Sequence, residues 1–167
     1  MSVHAKVAPV LEPQEDFLSS YLETLSLVER LHRLLLDVVK DEFERLGIID
    51  INSVQALLLF NIGDNEVTAG ELKTRGYYQG SNVSYNLKKL VECGYMHHQK
   101  CDVDRRAVRV RLTEKGRGIR NIIATLFQRH ASGILSREVL GGMRLTDINV
   151  CLRRMERYWT DQIRYIY

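Results

Sequence analysis

Apolar residues recur at helical spacing from about Glu15 to Leu46, at Phe17, Tyr21, Leu25, Val28, Leu31, Leu35, Val38, Val39, Phe43 and Leu46. Positions three, four and seven apart share one face of an α-helix. The segment therefore predicts a helix of roughly 30 residues, about 45 Å long, with Gly47 as its stop. That is longer than a compact domain of this size covers, so part of the helix is expected to meet another subunit. A second helix, capped by Asp50, Asn52 or Ser53, runs through Val54, Leu57, Leu58 and Phe60 and ends near Asn61 and Gly63. Because it is nearly all apolar, it is expected to be buried.

Thr68-Ala69-Gly70-Glu71 fits a capping box, in which hydroxyl and carboxylate each satisfy a free backbone N–H at a helix start. It predicts a short third helix from about residue 69 that stops by Gly76. After the turn Gly76 to Gly80, a fourth helix runs from about Ser81 to Glu92 and ends at Gly94. At 100° per residue, Val83, Leu87, Leu90 and Val91 fall on one face and Ser81, Tyr85, Lys88 and Lys89 on the other. Two helices joined by a tight Gly-containing turn predict a helix-turn-helix.

From Ala107 to Leu112 apolar residues alternate with Arg109 and Arg111, the mark of a half-buried strand, and Tyr95 to Cys101 supplies its partner. Between them Asp102, Asp104, Arg105 and Arg106 make a charged hairpin tip. Thr113 caps a fifth helix with a stripe of Ile119, Ile122, Ile123, Leu126 and Phe127. Residues 131 to 144 contain Gly and Ser and are ambiguous. A last helix, capped by Thr146 or Asp147, carries Ile148, Leu152, Met155, Trp159, Ile163 and Ile166 on one stripe. The fold class expected is mainly α with a small β-hairpin: a winged helix-turn-helix over residues 49–116, flanked by helical dimerisation segments at 15–48 and 117–167. Residues 1–14, which hold both prolines, read as a loosely ordered arm.

Charge sharpens this picture. Residues 71 to 120 hold 12 Lys or Arg against 5 Asp or Glu, a net +7, whereas the rest of the chain carries −4. A positive field confined to the helix-turn-helix and hairpin is the footprint of a polyanion partner. A narrow minor groove has enhanced negative potential and attracts a projecting arginine, which assigns Arg105 and Arg106 to that contact. Asp104 repels phosphate but pairs with a guanidinium, and so orients an arginine. A fourth helix entering the major groove by its N-terminus aims Ser81, Asn82, Ser84 and Tyr85 at bases or phosphates, with Lys88 and Lys89 nearer the backbone.

Other chemistry is poorly supported. Cys93, His97, His98 and Cys101 look like a zinc set, but consecutive strand residues point to opposite faces, so both histidines cannot converge on one ion. No metal or other cofactor is expected. Three cysteines without paired spacing argue against a disulfide framework. No catalytic constellation or phosphate-binding glycine loop is present, so no enzyme is expected. Neither a membrane span nor a secretory signal is read, and the expected setting is cytoplasmic, at the nucleoid.

The order long helix, helix, capped helix, reading helix, wing, two closing helices resembles the MarR family of bacterial winged-helix transcription regulators. Asp104-x-Arg106 followed by five residues and Leu112-Thr113 is similar to the family's wing signature. Thr68-x-x-Glu71-Leu72, Leu90, Gly94-Tyr95 and Thr113-Glu114-Lys115-Gly116 add to it, and the likeness spans most of residues 15 to 166. The asparagines of the fourth helix and the Asp50-Ile51-Asn52 lead-in are most similar to the LdtR-type branch.

The resemblance implies a homodimer on a pseudo-palindromic operator in double-stranded DNA, with Arg106 in the minor groove, Asp104 holding it and the fourth helices in successive major grooves. It also implies release by a small-molecule effector, aromatic or phenolic, bound between the dimer helices and the reading domain. Two departures stand out. The peroxide-sensing branch carries its reactive Cys in the first helix, where this chain has none, and Tyr77 and Tyr78 are not a general family feature. Two other readings are a winged-helix protein-interaction module, whose basic face docks an acidic partner, and a thiol- or metal-responsive regulator.

Overall fold

The structure, a computed structural model, describes residues 13–74, 80–100 and 108–166. Their elements run α1 (Gln14–Leu46), α2 (Ser53–Ile62), β1 (Val67–Thr68), α3 (Ala69–Thr74), α4 (Gly80–Glu92), β2 (Met96–Lys100), β3 (Val108–Leu112), α5 (Glu114–Ser136) and α6 (Leu145–Ile166). Residues up to Arg120 form one compact unit and those from Asn121 onward a second. Residues 1–12 of the expected arm, the end of the third helix at Gly76, Tyr77, Tyr78, Cys101 and the tip residues Asp102, Asp104, Arg105 and Arg106 lie outside the described residues, whereas Gln14, expected in the arm, is the first residue of α1.

In the first unit α2 is the hub. Ala56, Leu57, Leu58, Leu59 and Ile62 are all buried, and the helix packs against α1, α4 and β3. Of the three cap candidates Asn52 serves. Its Oδ1 accepts from the backbone N–H of Gln55 at 2.9 Å, and the Gln55 side chain accepts from the Asn52 N–H at 3.2 Å. Ser53 instead donates its hydroxyl to the Leu36 carbonyl at 2.8 Å, tying the start of α2 to α1. The expected box at α3 is also formed, with Thr68 N to Glu71 Oε2 at 2.6 Å and Glu71 N to Thr68 Oγ1 at 3.1 Å.

The sheet has three antiparallel strands in the order β1-β3-β2. The two-residue β1, which alternation is too short to reveal, pairs Val67 with Val110 and Thr68 with Arg109. Met96 lies opposite Leu112, His97 opposite Arg111 and His98 opposite Val110. Val67, Met96, Val110 and Leu112 are buried on one face, while His97, Arg109 and Arg111 are exposed on the other. The two histidines therefore lie on opposite faces of β2.

The junction between α4, β2 and α5 is closely braced. Gly94 takes a left-handed φ of 76°, and Tyr95 N donates to the Leu90 carbonyl at 2.8 Å, which closes the helix. Thr113 Oγ1 accepts from Gly116 N at 3.1 Å as the cap of α5 and donates to the Gly94 carbonyl at 2.7 Å. A Cβ at Gly116 would stand 2.1 Å from the Tyr95 carbonyl oxygen, so the backbone approach requires glycine there. Tyr95, 2% exposed, donates its hydroxyl to Asp50 Oδ1 at 2.7 Å. Lys115 Nζ lies 2.8 Å from Asp50 Oδ2, 3.1 Å from the Cys93 carbonyl and 4.0 Å from the Tyr95 ring centroid.

In the second unit α5 runs without a break to Ser136, which resolves the ambiguous stretch as helix followed by turns. The last helix, which begins at Leu145, starts two residues earlier than a Thr146 cap and three earlier than an Asp147 cap would place it. Arg144 precedes it, and Asp147 sits in its first turn, where its carboxylate accepts from Arg144 Nε at 3.1 Å and Nη2 at 2.9 Å. A carboxylate in the first turn also complements the helix dipole. Among the described residues no helix is long and apolar enough to cross a membrane.

Candidate nucleic-acid interface

The amphipathic pattern of α4 fixes which side chains face out. Val83, Leu87 and Leu90 are buried, whereas Asn82, Ser84, Tyr85, Lys88 and Lys89 are exposed, Tyr85 by 61%. Of the residues that the sequence nominates on this helix, five are thus brought to one accessible surface. Ser81 lies within α4. An exposed helix face with one aromatic, two short polar side chains and two lysines offers hydrogen-bond donors and acceptors together with positive charge, which suits base edges and phosphates.

The lysines are not isolated. Lys89 Nζ lies 3.1 Å from Glu92 Oε2, and Lys88 Nζ 3.9 Å from Glu92 Oε1. The hydrogen bond to Glu92 raises the Lys89 pKa and holds it cationic. One carboxylate between two ammonium groups leaves the end of α4 net positive. Such exposed pairs are weak, of order 0–1 kcal/mol, so either lysine is free to exchange Glu92 for a phosphate.

The sheet adds a basic strip that the alternation signals but the sequence reading does not use. Exposed Arg109, Arg111 and His97 share its outer face. On the inner face His98 stands at the mouth of a cleft of about 490 Å³ lined also by Ser84, Leu87, Lys88, Val91, Glu92 and Val110.

A second cleft of about 410 Å³ opens on the other side of α4. Its wall is His32 and Leu36 of α1, Asn52, Val54 and Leu57 at the start of α2, and Asn82, Tyr85 and Asn86 of α4. Asn86, 9% exposed, is the polar interruption in the buried face of α4, and its Oδ1 accepts from Gln55 Nε2 at 3.3 Å. Asn82 and Tyr85 therefore belong to the cleft wall as well as to the exposed face. The sequence reading misses His32, Asn52 and Asn86 as wall residues, because polar groups on three separate helices announce no common cavity. Among the described residues no group of three or more His, Cys, Asp or Glu is placed to hold a metal ion.

Comparison with known proteins places these features. Residues 51–116 match the family described as a winged helix DNA-binding domain. The chain is 35% identical over 155 residues to the exopolysaccharide II synthesis transcriptional activator ExpG of Rhizobium meliloti (strain 1021), covering 90% of this chain and 77% of that protein. The fold is that of the transcriptional regulator SlyA, with a TM-score of 0.69 at 19% identity over 86% of this chain and 99% of the other. A MarR-family regulator from Listeria monocytogenes, solved in complex with 26mer DNA, gives a TM-score of 0.63 at 17% identity over 83% of this chain and 87% of the other.

Proposed function

We propose, since this chain belongs to the MarR family of winged-helix transcription regulators, that it works as a homodimer on a pseudo-palindromic operator and answers to a small-molecule effector. It is a DNA-binding regulator and not an enzyme. In this reading Ser81, Asn82, Ser84 and Tyr85 enter the major groove and Lys88 and Lys89 meet phosphates. Arg105 and Arg106 reach the minor groove, with Asp104 orienting Arg106. The observation that carries it is the division of α4 into a buried face of Val83, Leu87 and Leu90 and an exposed face of the nominated residues. The Listeria monocytogenes relative in complex with 26mer DNA supports the double-stranded target.

Dimerisation is supported by unpartnered apolar surface. On α1, Phe17, Leu18, Leu22, Leu27, Val28, Leu31, Leu34 and Leu35 are exposed, and on α6 Val150, Leu152, Tyr158, Trp159 and Ile163. Apolar stripes of this extent mark association surfaces. Effector control, by an aromatic or phenolic ligand, is supported by the cleft between α1, α2 and α4. Because Asn82 and Tyr85 line it, an occupant restrains the same side chains that face DNA, which gives the ligand different affinities for the DNA-bound and free states. Selection of bound duplexes from a random pool tests the reading: a two-fold symmetric consensus is expected, and a consensus without symmetry, or no enrichment, contradicts it.

A further inference from the structure

We infer that the cleft between α1, α2 and α4 takes an uncharged amphiphile whose polar end is a carbonyl acceptor, such as an amide, ester, lactone or ketone, and discriminates against the matching carboxylate. The inference rests on the reading of this cleft as the effector site and adds the chemistry of its occupant.

Among the described residues the wall holds no lysine, arginine, aspartate or glutamate. Its apolar part is Leu36, Val54 and Leu57, and its polar part is three primary amides, one imidazole and one phenol. An anion moved from water into such a cleft loses hydration and meets no permanent cation in return, which is costly. A neutral carbonyl loses far less and is answered by one or two N–H groups. The hydrogen bonds already made within the wall weight it further. Asn86 Oδ1 is engaged by Gln55 Nε2 at 3.3 Å and Asn52 Oδ1 by Gln55 N at 2.9 Å, so two of the three amide oxygens already accept one hydrogen bond each. What the wall offers an occupant is therefore weighted toward donors, the complement of a carbonyl oxygen. At about 410 Å³ the space suits a ring or short chain attached to that group.

The same network supplies the coupling. Gln55 links the cap of α2 to Asn86 on α4 through Asn86 Oδ1, so a carbonyl that accepts from Asn86 Nδ2 holds the same amide from its other end, at the point where the reading helix is tied to the rest of the unit.

The test pairs one scaffold in two charge states, 4-hydroxybenzamide and 4-hydroxybenzoate, titrated against the full chain by ligand-observed NMR. The amide is expected to bind at least ~10-fold more tightly than the acid. Asn86→Leu is expected to remove amide binding, with circular dichroism confirming the fold. On the exposed rim, where folding is not at stake, Asn82→Arg is expected to bring benzoate binding up to or above that of the amide. His32→Gln, which exchanges the imidazole of the wall for an amide, is expected to leave the preference for 4-hydroxybenzamide in place. Equal or tighter binding of the acid to the unaltered chain, abolished by Asn86→Leu, overturns the chemistry and leaves the cleft as effector site. Failure of both compounds to bind, or binding indifferent to Asn86→Leu and Asn82→Arg, overturns both. Whether the chain binds DNA at all is judged separately, by the duplex affinity of the unaltered, ligand-free chain.

Discussion

The winged region and the long terminal helices use apolar residues in opposite ways. In α2 half the helix is buried, and Leu58, Leu59 and Ile62 are essentially inaccessible. Along α1, by contrast, Val39, Glu42 and Phe43 are the buried positions among the described residues, and Leu31 is 63% exposed. Ile163 of α6 is 67% exposed. One region closes a core within a single chain and displays charge; the other leaves its apolar stripe exposed, the surface proposed to meet a second copy. The difference teaches that similar hydrophobic periodicities serve two tasks, and that only burial separates them.

Five substitutions break or sharpen that contrast. Leu31→Glu places a carboxylate in the exposed stripe, and in a two-fold interface the change occurs twice. Loss of two leucine burials of about 1.5–3 kcal/mol each is expected to convert the dimer to monomers in sedimentation, while the melting of the winged region stays cooperative. Leu58→Ala, at a 1% exposed position, is expected to do the reverse, costing about 2–5 kcal/mol in denaturant unfolding. Arg106→Ala is expected to weaken operator binding by about 1–3 kcal/mol in a gel shift without altering either association or melting.

The smallest effect probes the brace at the end of α4. Burial, then the Asp50 hydrogen bond, pushes the Tyr95 phenol up to about 12, so the native chain keeps a proton that the unfolded chain releases at lower pH. Stability is then complete below the ordinary phenol range and falls as pH rises toward that value. Lys115, raised by its hydrogen bond to Asp50, adds a loss in the same direction. Tyr95→Phe is expected to cost about 1 kcal/mol near neutrality and to flatten the alkaline limb of a stability–pH profile. The acid limb, set by Asp50, whose pKa is lowered chiefly by Lys115, is present above the ordinary carboxylate range and lost as pH falls through the depressed value; Asp50→Asn reduces it.

Much of the winged region was legible in the sequence because its signals are local. The Thr68–Glu71 box, the alternation around Arg109 and Arg111, the Gly94 stop and the Thr113 cap each act within a few residues, and each is formed. What escaped depends on partners distant in sequence. β1 exists because Val67 and Thr68 pair with β3. The Asp50, Tyr95 and Lys115 cluster joins residues 45 and 65 positions apart. Asn86 reads as an ordinary polar residue until Gln55 is placed beside it. At the last helix the sequence points to Thr146 and Asp147 because such residues cap well, whereas Asp147 pairs with Arg144 inside the first turn.

The claim that the basic face of the winged region meets a DNA duplex is tested most directly by fluorescence anisotropy of a selected operator and a scrambled duplex over a range of salt concentrations. Tight binding at low salt, a marked preference for the operator, and a steep loss of affinity as salt rises are expected from several phosphate contacts. Absence of affinity for either duplex at low ionic strength would contradict the claim.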